Sequence, residues 1–129
     1  MNNLDGSVRQ LLMSNGEEIL AEIIDWKEGT YIEAKNILSI IPYEIESADD
    51  GKAYYILKPW VSYTDDIGKS SYMNPNNVIS LTEPSPVVLE QYQGSVEEIS
   101  VGLKDDEQKV SRGVEGNVLS FTPKTLLTE

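Results

Sequence analysis

The sequence predicts a mainly β fold: a strongly bent five-stranded antiparallel sheet, or small open barrel, followed by a C-terminal helix. Three observations carry this. Short apolar runs separated by glycine turn signals fill residues 8–81. The longest unbroken run, Glu18–Trp26, is apolar on both faces. After Ser85-Pro86 the apolar spacing changes from a strand period to a helical one.

Residues 1–7 are polar, contain Asp5-Gly6 and are expected to form a flexible arm. Val8–Met13 is the first strand, and Ser14-Asn15-Gly16-Glu17 turns it, because glycine accepts positive φ without steric cost. In the second strand Ile19, Ala21 and Ile23 share one face, while Leu20, Ile24 and Trp26 share the other. Such a strand has no solvated side. It bends between two sheets, curls into a barrel or meets another subunit, and Ala21 is where a sharp curve is easiest. Lys27-Glu28-Gly29 turns the chain again.

Thr30–Lys35 alternates, Asn36 interrupts, and Ile37–Tyr43 is apolar, with Pro42 at a strand end. Glu44–Lys52 is an acidic loop that turns at Asp50-Gly51. Ala53–Val61 is rich in aromatic and branched residues and is expected to pair with residues 32–43. Ser62–Tyr72 reads as a loop, Met73–Asn77 as a polar turn and Val78–Leu81 as the final strand.

Ser85-Pro86 fits an N-cap and first helical position. Val88, Leu89, Tyr92, Val96 and Ile99 then make one apolar stripe, predicting a helix from about Pro86 to Val101 within the segment 82–101. Gly94 is a place for it to end early or kink. Residues 102–129 read as a mobile acidic tail, whose last apolar cluster around Val118, Leu119 and Phe121 is available for docking.

Composition narrows the chemistry. A chain of 129 residues is expected to be one domain. Cysteine and histidine are both absent, which removes thiolate chemistry and the commonest general base and metal ligand. No phosphate-cradling glycine motif is present, and Asp49-Asp50-Gly51 lacks the spacing of a calcium loop. No enzyme activity, cofactor or metal is therefore expected. No apolar run is long enough for a transmembrane helix, and MNNLDGSVRQ does not read as a secretory signal, so no membrane partner and a cytoplasmic location are expected. The net charge of −12 is spread along the chain. It favours solubility and supplies no general attraction for phosphates.

The strand pattern over Val8–Leu81 resembles the Sm-like (Sm/LSm) fold. Leu11-Leu12-Met13-Ser14-Asn15-Gly16-Glu17-Glu18-Ile19 fits the start of the first Sm motif, and Met73-Asn74-Pro75-Asn76-Asn77-Val78 has the outline of the second. Three departures accompany the match. Ala21 stands where the family usually bends strand two at glycine, the strand 2–3 loop has no asparagine, and Asn74-Pro75 replaces the family's Arg-Gly. The long second strand, Leu57-Lys58-Pro59-Trp60 and the C-terminal helix look most like small Sm-like proteins of tailed phages and marine phage-like sequences, which would mean a host cytoplasm.

The resemblance implies a homo-oligomeric ring of about five to seven copies, joined edge to edge through strands four and five. It further implies single-stranded nucleic-acid binding, RNA or DNA, in a processing or regulatory role. Tyr31 would stack a base, Asn74, Asn76 and Asn77 would read base edges, and Lys27 and Lys58 would contact phosphates. For each residue an ordinary surface or turn role is the alternative. The alternative function is an acidic protein-interaction or assembly ring without nucleic-acid binding, consistent with the negative charge and the missing Arg-Gly.

Overall fold

A computed structural model describes residues 7–43, 51–105 and 118–121. Its elements are β1 (Ser7–Met13), β2 (Glu18–Lys27), β3 (Tyr31–Pro42), β4 (Ala53–Pro59), β5 (Ser71–Met73), a 3₁₀ turn (Pro75–Asn77), β6 (Val78–Thr82), α1 (Pro86–Asp105) and β7 (Val118–Phe121). All seven strands join one antiparallel sheet in the order β6-β1-β2-β3-β4-β7, and β5 pairs with β3. Among the described residues the sheet is not closed.

The two expected hairpins form at the expected glycines. At the first, the Gly16 N–H donates to the Met13 carbonyl and the Met13 N–H to the Glu17 carbonyl, with Gly16 at φ 92°. At the second, the Thr30 N–H donates to the Lys27 carbonyl around Gly29 at φ 75°. Both geometries need the positive φ that glycine takes freely.

Asn36 does not end a strand. Thr30–Lys35 and Ile37–Tyr43 belong to one strand, β3, bent at Asn36, which is the one non-glycine among the described residues with positive φ, at 53°. Leu20 pairs with Leu38 and Glu22 with Lys35, so Asn36 and Ile37 together face the single Ala21. This is a β-bulge, and it bends the sheet at the small residue of β2. The bend divides the outer edge of β3. Leu38–Pro42 pairs with β4, while Ile32–Ala34 pairs with β5.

The strand count differs from the expected five. β5 lies at the end of the stretch read as a loop, and β7 lies inside the stretch read as a tail. A three-residue and a four-residue strand are too short to show a period, and each is held by a register with a distant partner.

Both faces of the bent sheet are buried by the chain itself. Leu11, Ile19, Ala21, Ile23, Ile32 and Met73 pack on one face, with Trp26 and Trp60 against them. Leu20, Leu38, Tyr55 and Leu57 pack on the other, under Val88, Leu89, Tyr92 and Val96 of α1. The two-faced apolar pattern of β2 thus needs no second subunit. The Ser85 hydroxyl accepts from the Val88 N–H, as the N-cap pattern predicts. The helix continues past Gly94 and Val101. Among the described residues no helix is long and apolar enough to cross a membrane.

Two stability outcomes follow. A Cβ at Gly94 would meet nothing within 4 Å, so Gly94→Ala should stabilise the protein by about 0.5–1 kcal/mol in urea denaturation. Asn36→Val puts a branched side chain at φ 53°, and a loss of about 1–3 kcal/mol is expected. Asn36→Gly should lose clearly less. Equal losses would mean that the backbone conformation is not what Asn36 contributes.

Candidate functional site

The register brings the two expected ligand-facing segments to one end of the sheet. Lys27 pairs with Tyr31 across the second hairpin, and Ile32 pairs with Met73, so the register continued by one position sets Asn74 opposite Tyr31. Tyr31 meets Tyr72 edge to face, with ring centroids 5.4 Å apart. Edge-to-face contact suits two rings, since the positive rim of one meets the negative face of the other. Tyr72 remains 66% exposed.

Beside this pair lies a cleft of about 430 Å³, lined by Ser14, Glu17, Trp60, Tyr72, Asn74 and Asn77 among others. Trp60 is held there from two sides. Its backbone N–H donates to the Ile37 carbonyl (3.0 Å), and its indole N–H donates to a Glu17 carboxylate oxygen (3.3 Å). The Ser14 N–H donates to the Asn77 carbonyl (2.7 Å), tying the first hairpin to the turn before β6.

The asparagines are partly committed to this architecture. The Asn74 side-chain oxygen accepts from the Asn76 N–H (2.9 Å) and caps the 3₁₀ turn, while its carbonyl accepts from the Asn77 N–H. Capping is what asparagine does well before a short helical turn. Asn74, Asn76 and Asn77 are all exposed. Lys58 stands apart from the other five expected residues. It pairs with Ser39, eight positions along β3 from Tyr31, which is roughly 26 Å of strand at the usual rise.

The local charge is negative. The Tyr31 hydroxyl donates to Asp25 Oδ2 (3.0 Å), and Asp25 pairs with Glu33 across the ladder. The hydrogen bond to Asp25 and the nearby carboxylates raise the Tyr31 pKa above its ordinary value, because a phenolate there would face existing negative charge. Lys27 is the cation at the turn next to Tyr31, and Lys35 pairs with Glu22 farther along the hairpin.

Two contributors carry little signal in the sequence: Trp60 sits at the end of a strand pattern, and Tyr72 lies in a stretch with the composition of a loop. Tyr72 carries no local signal. Its role depends on the register that sets Glu33 opposite it. Among the described residues no group of three or more acidic side chains converges to hold a metal ion. No protein-family model matches the sequence, and no curated protein matches it.

A titration checks the site's electrostatics. Tyr31 should ionise above the ordinary tyrosine range in an NMR pH series, and Asp25→Asn should bring it back down. An unchanged Tyr31 titration in that variant would remove Asp25 as the cause.

Proposed function

We propose that this chain is an Sm-like protein that binds single-stranded nucleic acid, RNA foremost, at the hairpin end of its sheet, and that it does so through bases rather than phosphates. The observation that carries this reading is the meeting of Tyr72, Trp60, Asn74 and Asn77 around one cleft, with Tyr31 packed against Tyr72. Exposed aromatic rings accept stacked bases whatever the net charge, at about 1–3 kcal/mol per base. Exposed amides beside them offer both a donor and an acceptor to a base edge.

The Sm-like assignment draws support from three features. β1–β3 form a meander with tight turns, β2 and β3 bend together at Ala21 and Asn36, and a short last strand, β6, returns to β1. Residues 8–81 would be the Sm-like unit. β4 and β5, which share the outer edge of β3, would be two pieces of one interrupted fourth strand.

A second reading, an acidic protein-interaction surface, is favoured by one specific observation. Asp25 and Glu33 flank the ring pair, an arrangement suited to a lysine or arginine side chain of a partner.

One titration series separates the two. Under the first reading, U-rich or A-rich oligonucleotides bind in an anisotropy titration. Tyr72→Ala and Trp60→Ala each weaken binding by about 5- to 150-fold, the equivalent of one stacked base. Because the chain carries −12, added salt should leave that affinity unchanged or raise it. Oligonucleotide binding no tighter than about millimolar, or indifferent to both substitutions, sinks the nucleic-acid reading. Tight binding of a lysine-rich peptide that fades with salt and is lost in Asp25→Asn would establish the second instead.

A further inference from the structure

The acidic side chain that lines the aromatic cleft is held in place by its neighbours. Glu17 Oε1 accepts from the Asn15 side-chain amide (3.1 Å) and from the Trp60 indole N–H (3.3 Å). The backbone of Glu17 is pinned as well. Its N–H donates to Asn15 Oδ1 (3.0 Å), and its carbonyl accepts from the Met13 N–H (2.8 Å). Oε1 is therefore engaged twice, while Oε2 accepts from no described residue. A carboxylate oxygen has room for two hydrogen bonds and can only accept them. Glu17 thus presents an oriented, acceptor-only oxygen beside Trp60 and Tyr72.

Such an oxygen sorts bases by the donors they carry. Guanine has two adjacent donors, N1–H and N2–H, on its Watson–Crick edge, and both can point at one oxygen. Adenine and cytosine offer an amino group beside a ring-nitrogen acceptor, and uracil offers one N–H between two carbonyls. Each of those three edges sets a lone pair against the carboxylate. The rest of the cleft suits guanine too. Ser14 and Asn77, both exposed there, carry side-chain donors for the guanine O6. Met13 and Met73, both buried, add polarisable apolar lining for a flat ring. The volume, about 430 Å³, falls in the usual range of small-ligand pockets.

We infer that the cleft selects guanine from a single strand, the base lying against the Trp60 and Tyr72 rings while Glu17 Oε2 accepts from its N1–H and N2–H. The inference rests on the nucleic-acid reading and adds the base that the cleft prefers. Strands of uracil or adenine still bind by stacking, but more weakly, because they cannot offer Glu17 two donors. Hydrogen bonds to an ionised acceptor are the stronger kind, so the preference is a large one.

Anisotropy titrations of the full chain with four labelled RNAs test it. One is all uridine. The others carry isolated guanosines, inosines or adenosines at the same positions, spaced so that the strand does not fold on itself. The guanosine strand should bind at least about 10-fold tighter than the uridine and adenosine strands. Inosine keeps N1–H but lacks the 2-amino group, so its strand should bind clearly more weakly than the guanosine strand. Glu17→Gln, with a circular dichroism melt to confirm the fold, should bring the guanosine-to-uridine affinity ratio close to one. A carboxylate that merely shaped the cleft would lower both affinities and leave that ratio in place. Should the variant fail to fold, the inosine comparison on the wild-type chain decides alone. Four strands that bind within about 2-fold of one another overturn the guanine inference and leave the nucleic-acid reading standing. So does a guanosine preference that inosine matches or that survives in folded Glu17→Gln, since stacking alone then accounts for it. No binding tighter than about millimolar by any strand overturns both.

Discussion

Most of the molecule is arranged around the backbone of one residue, Asn36. A bulged residue leaves the ladder, so its N–H and C=O must find partners elsewhere or remain unsatisfied. Here the N–H donates to the Ile67 carbonyl (2.8 Å) and the carbonyl accepts from the Tyr92 hydroxyl (2.6 Å). The side-chain amide donates to Glu22 (3.3 Å), and the next carbonyl, of Ile37, accepts from Trp60. The bend therefore fixes the crossing loop, the helix and the second strand together. Burial holds the Tyr92 phenol protonated, with a pKa raised well above the ordinary value, so this contact keeps its donor. Without the bend, β4 and β5 could not both lie on the outer edge of β3, and Trp60 would not be delivered to the cleft.

The same bend explains the double-sided core. A strand apolar on both faces must be covered twice. One cover is made by side chains of the sheet itself and by Trp60, packed where Leu11, Ile23 and Ile32 meet. The other is α1, seated by Tyr92 and by Tyr55, whose hydroxyl donates to Gln91 while Gln91 donates to the Ser120 carbonyl. Burial pushes the Tyr55 pKa up to about 12. The helix is thus joined to β4 and β7 at once, and β7 is held on the sheet by a side chain as well as by its ladder. That bridge is why a strand of only four residues can occupy the β4 edge.

Much of this was legible in the sequence where the signal is local. Asn15-Gly16 and Gly29 announce the hairpins, Ala21 and Asn36 mark the curve, and Ser85-Pro86 starts the helix on its apolar stripe. What was not legible depends on pairing across distance. β5 and β7 are shorter than any period can reveal, and Gly94 suggested a break that the packing of Val96, Ile99 and Leu103 overrides. At the site, Tyr31 and the asparagine turn were visible as candidates because each is a polar or aromatic residue in a turn. Their meeting required the register of β3 with β5, which also brings Tyr72, while the Asp25 hydrogen bond comes from the β2–β3 hairpin. Lys58 is the residue of that set that the fold places apart. A basic residue beside a tryptophan looks functional in one dimension, yet the ladder carries it to the far half of β3.

The charge around Tyr31 constrains how any ligand reaches the cleft. At physiological salt the Debye length is about 8 Å, so a polyanion approaching the hairpin end feels Asp25, Glu33 and Glu28 before it feels the rings. Association is then slowed rather than steered, and affinity has to reside in contacts made after docking, which means in the dissociation rate. A stacked base suits that requirement, since its gain comes from area and dispersion at short range. Lys27 at the turn cannot reverse the field, but it stands opposite Tyr31, where one phosphate flanking a stacked base would lie within reach. Under the nucleic-acid reading, selection among ligands would fall to the rings and the amides, because the field would oppose every phosphate equally while the cleft of Trp60, Tyr72 and Asn77 offers shape and hydrogen bonding.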